Sequence, residues 1–512
     1  MQTGTKRKLS EALDRASGSA EIQDLLTDDG ADDGRESEKG IRHVILRLEK
    51  AITRNQEMRL RFANEPQRFM DSEIRLDAEI EALGAALSND PSSYTEFVRL
   101  SSLDSCLSLL MHENVDIVIG IVKLFHDLFD VETAEEEGHL RVVIEGIVKS
   151  GGLPALVDTI ERFDESQEDD REAVGLLYSM FESMVEADYS TAAKLVEGTR
   201  IVDLALNRVS KARQGGNADA NRFAAADLVA VLLTCGETPV RVAMAPQMGR
   251  LLAILAPYIK EDAPDEDERG LVENVISSVQ SMLLEASLRE PFADAGGLHF
   301  CIDAIRSKKL LLRHGALSIL AQATERSPPN CRQLVDIGGL KAVFAAFMSG
   351  RSKRHRKYKV SAEEEEECIV SIIGHLFLST SDLHYQRLLS KFTEKDCEKV
   401  DRLIELHLQF REAAESSDGD HAEFALQMVD FVLGFAMTAG EPAITTHAHK
   451  LLNQFNIGLD EIRGELQKFH DEIGDEDTTT PDENTRQSKE DAEKSSAMFQ
   501  KIVVSGIIKS LS

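Results

Sequence analysis

A chain of 512 residues with a formal net charge of −32 exceeds the roughly 100 to 200 residues of a typical domain, and therefore predicts several domains or an elongated array. Its excess of carboxylates argues against direct binding to nucleic-acid phosphate over the whole surface and favours basic partners. Aromatic residues are only 5% and Trp is absent, which favours stacked helices over a β-sandwich or barrel.

The cysteines and the hydropathy pattern exclude two further classes. The six cysteines are separated by tens of residues without a CxxC pair, so they predict reduced core side chains of an intracellular protein, with neither a zinc site nor a disulfide framework. No apolar run of about 18 residues follows the N-terminus or occurs elsewhere, so we expect no secretion signal and no membrane span.

Residues 1–40 are polar and glycine-rich, and we expect them to be disordered. Lys6, Arg7 and Lys8 form a cationic trio there. A flexible basic cluster fits a short nuclear-import signal, with ordinary charge in a tail as the alternative. Residues 41–90 are predicted to be a helical pair that caps the open end of an array.

Residues 91–390 are organised by repetition. The phrase "SGGLPALVDTI" at Ser150 to Ile160 recurs as "AGGLHFCIDAI" at 295–305 and "IGGLKAVFAAF" at 337–347. Apolar residues with apolar partners at +3, +4 and +7 mark the start of a helix. Six such starts occur at Leu103, Leu153, Ile201, Met248, Leu298 and Leu340, and only the Ile201 copy lacks the apolar residue at +7, where Arg208 stands.

Each start is followed by a charged or glycine-rich loop and a longer apolar run, such as "EAVGLLYSMFESMV" from Glu172. A period of about 40 to 50 residues with this content is typical of armadillo or HEAT repeats. The sequence therefore predicts an all-α, armadillo/HEAT-like, right-handed superhelical solenoid of about six repeats. The Gly-Gly pair is interpreted as a left-handed turn between helices; a phosphate loop is the rival interpretation.

The remaining chain is predicted in three parts. Residues 391–475 form a further helical region, with Thr393 and Asp396 as an N-cap arrangement. Residues 476–493 are an acidic and polar linker by composition. Residues 494–512 are predicted to be a short amphipathic helix that folds back on the body, or alternatively binds another chain.

Loop charges suggest a directional edge. The loops from Asp164 and Glu261 are acidic, whereas those from Arg306 and Arg351 are basic. Because they share one phase of the repeat, we expect them to line one edge and to orient a partner. Exposed loops that simply carry charge are the alternative. The basic partner-binding candidates are Arg351, Lys353, Arg354, Arg356 and Lys357.

No catalytic motif is present: HExxH, GxSxG, Walker and dinucleotide glycine patterns are all missing. His447 and His449 lie two residues apart and would not face each other on a helix. The sequence therefore predicts a protein that is not an enzyme and that needs no metal or other cofactor.

Three features resemble the beta-catenin-like protein 1 family of nuclear armadillo proteins associated with pre-mRNA splicing. They are "NQEMRLRFANEPQRFMDSEIRLDAEI" from Asn55, "SKFTEKDCEKVDRLIELH" from Ser390, and the GGL repeats between them. The resemblance covers about residues 41–475 and implies a non-enzymatic nuclear scaffold of a spliceosome-associated complex. It also implies partners with basic, import-signal-like segments, and homodimers, and it strengthens the import-signal interpretation of the N-terminal trio.

The chain departs from the Trp and Asn ladders of importins, because it contains no Trp. The corresponding positions are occupied by Lys123 and Asp127, and then by Tyr178 and Glu182. Carboxylates still pair with Lys and Arg, whereas the aromatic clamp is missing. We therefore take Asp127, Tyr178 and Glu182 as candidate partner contacts, with an importin-like carrier as the alternative function.

Overall fold

The computed structural model describes residues 35–129, 134–215, 219–307, 309–349, 362–415, 420–473 and 497–511. Within these ranges every regular element is a helix, so the predicted all-α class is confirmed. The chain divides into two compact units, Met1–Gly152 and Leu153–Ser512.

The first unit contains six helices in its described part. They are α1 (Arg35–Arg61), α2 (Met70–Asn89), α3 (Tyr94–Arg99), α4 (Ser102–Leu109), α5 (Val115–Phe129) and α6 (Ala134–Lys149). Helix α1 packs along α2, and α2 packs along α5. The predicted helical pair is therefore present, but α1 begins inside the segment that was predicted to be a disordered tail.

The second unit continues the helical series. Its helices are α7 (Gly152–Thr159, beginning at the unit boundary), α8 (Glu168–Ala187), α9 (Ser190–Gly198), α10 (Ile201–Val209), α11 (Ala220–Thr234), α12 (Thr238–Ala243), α13 (Met248–Leu255), α14 (Glu266–Leu283), α15 (Arg289–Asp294), α16 (Gly297–Arg306), α17 (Leu310–Thr324), α18 (Pro328–Asp336), α19 (Gly339–Phe347), α20 (Ala362–Ser379), α21 (Asp382–Thr393), α22 (Glu398–Ala414), α23 (Asp420–Thr438), α24 (Pro442–Phe455), α25 (Leu459–Glu472) and α26 (Ala497–Ser510).

Successive repeats of the second unit stack helix on helix. The long helices α8, α11, α14, α17, α20 and α23 each pack against the next in that order. A second row is formed by the helices of the third to sixth predicted starts, in which each contacts the next: α10, α13, α16 and α19. All six predicted starting positions lie in the first turn of a helix, so the repeat period read from the sequence is confirmed.

The two positions of each Gly-Gly pair require glycine for different structural reasons. The first has a positive φ in every copy, +71° at Gly151, +87° at Gly296 and +80° at Gly338. In two copies the second sits against the preceding short helix, because a Cβ at Gly297 would lie 2.3 Å from the Phe292 ring and one at Gly339 would lie 2.4 Å from Leu334 Cδ1, whereas at Gly152 it would lie 2.7 Å from Leu107 Cδ1 on α4. The predicted left-handed turn is thus confirmed, and the close approach is a second requirement that the sequence did not reveal.

A buried ion pair links two adjacent repeats. Arg222 on α11 donates from Nη1 and Nη2 to the two carboxylate oxygens of Glu268 on α14, at 2.7 Å each. The Tyr258 hydroxyl also bonds to Glu268. Burial and the hydrogen bond to this carboxylate raise the pKa of Tyr258 to about 12. A planar guanidinium matched to a carboxylate fixes the register of the two helices.

The C-terminal part differs locally from the prediction. Thr393 ends α21, and α22 begins after Cys397, which has a left-handed backbone and no side-chain cap. The three residues before α22 all have positive φ, namely Lys395, Asp396 and Cys397. The predicted N-cap at Thr393 and Asp396 is therefore wrong, because the chain reverses through a left-handed turn there.

The last helix, α26, packs against α23 and α25, so the predicted fold-back is confirmed. A Cβ at Gly434 on α23 would lie 2.9 Å from Ile507 Cγ2 on α26, which shows how closely these two helices approach. The predicted linker at 476–493 lies outside the described residues, as do Lys6, Arg7 and Lys8.

Candidate partner-binding surface

A row of polar side chains crosses the stacked long helices of the second unit. Glu182 and Glu186 lie on α8, Asp227 on α11 and Asn274 on α14. Asn274 donates its side-chain amide to Asp227 Oδ1 across 47 residues of sequence, which is one repeat. We call Glu182, Glu186 and Asp227 the acidic row.

The acidic row carries uncompensated negative charge. Glu182 and Asp227 are half-buried, and burial raises the pKa of Glu182, to which the charges of Asp227 and Glu186 add. Burial likewise raises the pKa of Asp227, against the effect of the Asn274 hydrogen bond. Among the described residues, no cation forms an ion pair with any of the three carboxylates. The row is therefore a site where an added cation would relieve repulsion.

Farther along the stack, one contact between the long helices α14 and α17 is neutral. Gln280 on α14 donates its side-chain amide to Ser318 Oγ on α17 at 2.5 Å. The half-buried carboxylates Glu182 and Asp227, by contrast, lie where α8 meets α11.

Asp127, one of the predicted contacts, is an exposed residue near the end of α5 in the first unit. Lys123 is one turn earlier on the same helix, and it opposes the upward shift that burial and neighbouring carboxylates cause in the pKa of Asp77. The polar face of the first unit therefore already contains a cation, unlike the acidic row.

Tyr178 does not fit the predicted role of a surface contact. Its side chain is only 2% exposed, and burial raises the pKa of its phenol, with a further contribution from the charge of Glu165. A phenol this deeply buried presents no surface to a partner. Of the two candidate positions on α8, only Glu182 lies in the polar row.

Sequence reasoning missed Asp227 and Asn274. Asp227 and Asn274 are each the fourth residue of the runs "AAADLVAVLLTC" and "LVENVISSVQSMLL", whereas Glu182 is the eleventh residue of its own run. Alignment of the runs would therefore not have found them, because the packing between helices brings these side chains together.

Two of the charged loops, those from Glu261 and Arg306, contact each other, and their charges pair. Lys309 Nζ donates to Asp262 Oδ2 at 2.7 Å, which joins the basic loop after the fifth start to the acidic loop after the fourth. Arg213 pairs with Asp265 at 2.5 Å. These charges are therefore not free to orient a partner. Outside the described residues lie the remaining basic candidates, Arg351, Lys353, Arg354, Arg356 and Lys357.

The described part of the chain contains no group of three or more His, Cys, Asp or Glu arranged to hold a metal ion. His447 Nε2 lies 3.1 Å from Asp401 Oδ1, so this histidine has a carboxylate partner on α22. None of the helices in the described ranges has the length and apolarity required to cross a bilayer.

Three-helix repeats whose long helices pack in series define an armadillo-type α-solenoid. The chain belongs to the family described as "Catenin-beta-like, Arm-motif containing nuclear", whose model matches residues 20–423. The family resemblance noted from the sequence is therefore confirmed.

Similar proteins carry the corresponding name. The chain is 29% identical over 458 residues to the beta-catenin-like protein 1 homolog of Schizosaccharomyces pombe, covering 85% of this chain and 78% of the relative. It is 29% identical over 473 residues to human beta-catenin-like protein 1, covering 86% and 82%.

Solved structures with a similar arrangement include an engineered protein, with a TM-score of 0.43, 13% identity, and coverage of 84% of this chain and 95% of that chain. A second is a computationally designed armadillo repeat protein for modular peptide recognition, with a TM-score of 0.39, 12% identity, and coverage of 53% and 99%.

Proposed function

We propose that this chain is a non-enzymatic nuclear scaffold of a spliceosome-associated complex, and that it holds basic, import-signal-like segments of splicing factors. Family membership and the word nuclear in the family description support the setting. The observation that carries the binding mode is the acidic row, because its half-buried carboxylates have no cationic partner among the described residues.

The physical basis is relief of like-charge repulsion. Glu182 and Asp227 are already partly removed from water in the free protein, so a Lys or Arg that arrives there adds attraction with little further desolvation. An exposed ion pair contributes roughly 0 to 1 kcal/mol, whereas a hydrogen bond to a charged group contributes about 1.5 to 3 kcal/mol. We expect the row to fall between these limits, and binding to weaken as salt increases.

The test is fluorescence anisotropy with a labelled peptide rich in Lys and Arg. Glu182→Gln/Asp227→Asn should weaken binding by roughly tenfold or more at low salt, which corresponds to about 1.4 kcal/mol. Asp303→Asn is the matched control, because Asp303 is an exposed carboxylate on α16 of the same unit. Unchanged affinity in the double variant, or equal loss in the control, would contradict the proposed site.

The cellular setting has its own test. Affinity purification from nuclear extract should recover splicing factors with the native chain and lose them with Glu182→Gln/Asp227→Asn. Recovery of import receptors alone would favour the carrier alternative. Replacement of Lys6, Arg7 and Lys8 by Ala should abolish nuclear accumulation if this trio is the import signal.

A further inference from the structure

One ordered segment of the first unit exposes large apolar side chains. From Gln56 to Arg75 no residue is buried, although the segment contains the end of α1, a short 3-10 turn and the start of α2. The exposed apolar residues here and in the adjacent α4–α5 loop are Leu60 (74%), Met70 (51%), Ile74 (62%) and Met111 (73%). Buried apolar packing therefore does not hold this segment in place.

Polar contacts hold it instead. Arg59 forms ion pairs with Glu73 and Glu113, and its guanidinium lies 4.7 Å from the centre of the Phe69 ring. Asn114 Nδ2 donates to Glu73 Oε2 at 3.1 Å. These contacts fix the loop that carries Met111 beside the start of α2. The exposed apolar side chains thus lie on a surface that polar contacts hold in place.

Two of these apolar residues, Leu60 and Ile74, are each followed in the chain by an exposed arginine. Arg61 and Arg75 are exposed, and within the described residues neither forms an ion pair. The Arg61 guanidinium lies 5.3 Å from the Phe62 ring centre. We call Leu60, Met70, Ile74, Met111, Arg61 and Arg75 the apolar–arginine patch. Its free arginines stand out in a chain whose net charge is −32.

We propose that the apolar–arginine patch docks an acidic amphipathic helix of a partner protein. Met70 and Ile74 are one turn apart on α2, so they form a ridge that an apolar helix face can pack against. Burial of these side chains supplies affinity, and Arg61 and Arg75 select carboxylates on the rim. Arg61 and Arg75 disfavour basic segments, so this docking surface has the opposite charge preference to the acidic row.

A second copy of this chain is the less favourable occupant. A two-fold contact through this patch would bring the same surface to both sides of the interface. The unpaired Arg61 and Arg75 of each copy would then add like charge to one interface, which an acidic helix would not.

The proposal is tested on the full chain with a labelled, designed amphipathic peptide of about five helical turns, with Leu on one face and Glu on the other. Arg61→Glu/Arg75→Glu and Met70→Ser/Ile74→Ser should each weaken its binding by roughly tenfold or more. Lys50→Glu is the matched control, because Lys50 is an exposed cation on α1, and it should bind as the native chain does.

Three further measurements complete the test. In the Glu182→Gln/Asp227→Asn background, which removes the acidic row as a binding site for cations, a peptide with Lys in place of Glu should bind at least tenfold more weakly than the Glu peptide. Equal binding there would overturn the proposal, as would Glu-peptide binding that neither double variant of the patch affects. Met70→Ser/Ile74→Ser should leave the urea midpoint unchanged, and a lowered midpoint would assign these residues a structural role instead. Sedimentation that shows a native dimer abolished by Met70→Ser/Ile74→Ser would make a second copy the occupant and overturn the proposal.

Discussion

The glycine pair that begins α16 gives a quantitative test of the repeat. Gly297→Ala places a methyl group 2.3 Å from two carbons of the Phe292 ring, well inside ordinary van der Waals contact. Phe292 is fully buried, so its ring has no free space into which to move. Overpacking a core by one methyl group costs about 1 to 3 kcal/mol, and we expect Gly297→Ala to fall at the upper end.

Gly296→Ala tests the cost of a left-handed backbone instead of the cost of overpacking. No heavy atom lies within 4 Å of the added Cβ, but φ is +87°. A side chain in the left-handed region costs about 1 to 2 kcal/mol, so this substitution should destabilise less than Gly297→Ala. Gly296→Asn should cost less again, because Asn adopts the left-handed region more readily than Ala.

The assay is urea unfolding of the full chain followed by far-UV circular dichroism. Gly270→Ala on α14 is the matched control, because the added methyl group meets no atom within 4 Å and the glycine has no positive φ. Inside a helix this change should stabilise by up to about 1 kcal/mol. If Gly296→Ala costs more than Gly297→Ala, or if neither lowers the midpoint, the explanation of the Gly-Gly phrase is wrong.

Three other outcomes are expected. Arg222→Leu should lower the free energy of unfolding by about 3 to 5 kcal/mol, because it leaves Glu268 buried without its cation. Arg222→Leu/Glu268→Leu should recover most of that loss. If urea unfolding shows an equal loss of stability in the single and double variants, this explanation is wrong. Burial lowers the pKa of His407, but the hydrogen bond and charge of Asp430, with the charge of Glu461, outweigh it and raise that pKa above 6.5. The stabilisation from protonated His407 is therefore lost as pH rises through its folded pKa, and because burial raises the pKa of Asp430 to about 6, the ion pair is also lost as pH falls below that value. Asp430→Asn should lower the His407 pKa, measured by histidine hydrogen exchange and mass spectrometry, and an unchanged value would refute the pairing. The pKa of Glu182 is raised in the folded chain, so its ionisation opposes folding as pH rises from about 4.5 through the folded pKa. Glu182→Gln should therefore raise the urea midpoint at pH 7 but not at pH 4. A lowered midpoint at pH 7 would contradict this explanation.

The sequence predicted the repeat unit because helix periodicity is a local property. Apolar residues at +3, +4 and +7 are one face of one helix, and Leu298 and Leu340 begin helices as that pattern requires. A glycine at the junction follows from local backbone sterics. Neither inference needs knowledge of the neighbouring repeat.

Local pattern also misled in two places. Thr393 and Asp396 have the spacing of an N-cap, but α21 continues to Thr393 and the chain then turns through left-handed residues before α22. Tyr178 lies one turn before Glu182 on α8, and the exposed side of this helix is narrow because α11 packs against it. One turn therefore separates a core residue from a residue of the acidic row.

Sequence alone thus determined the repeated helices, the six positions where they start and the glycine turns before them, because contacts within one helix or turn set each of these features. Only the tertiary structure decided which charges remain free. Lys309 is neutralised by Asp262, whereas Glu182 and Asp227 meet no cation among the described residues. The physical reason is that the two members of such an ion pair lie about one repeat apart in the chain. Whether they meet depends on the register between stacked repeats, which the packing of the helices sets.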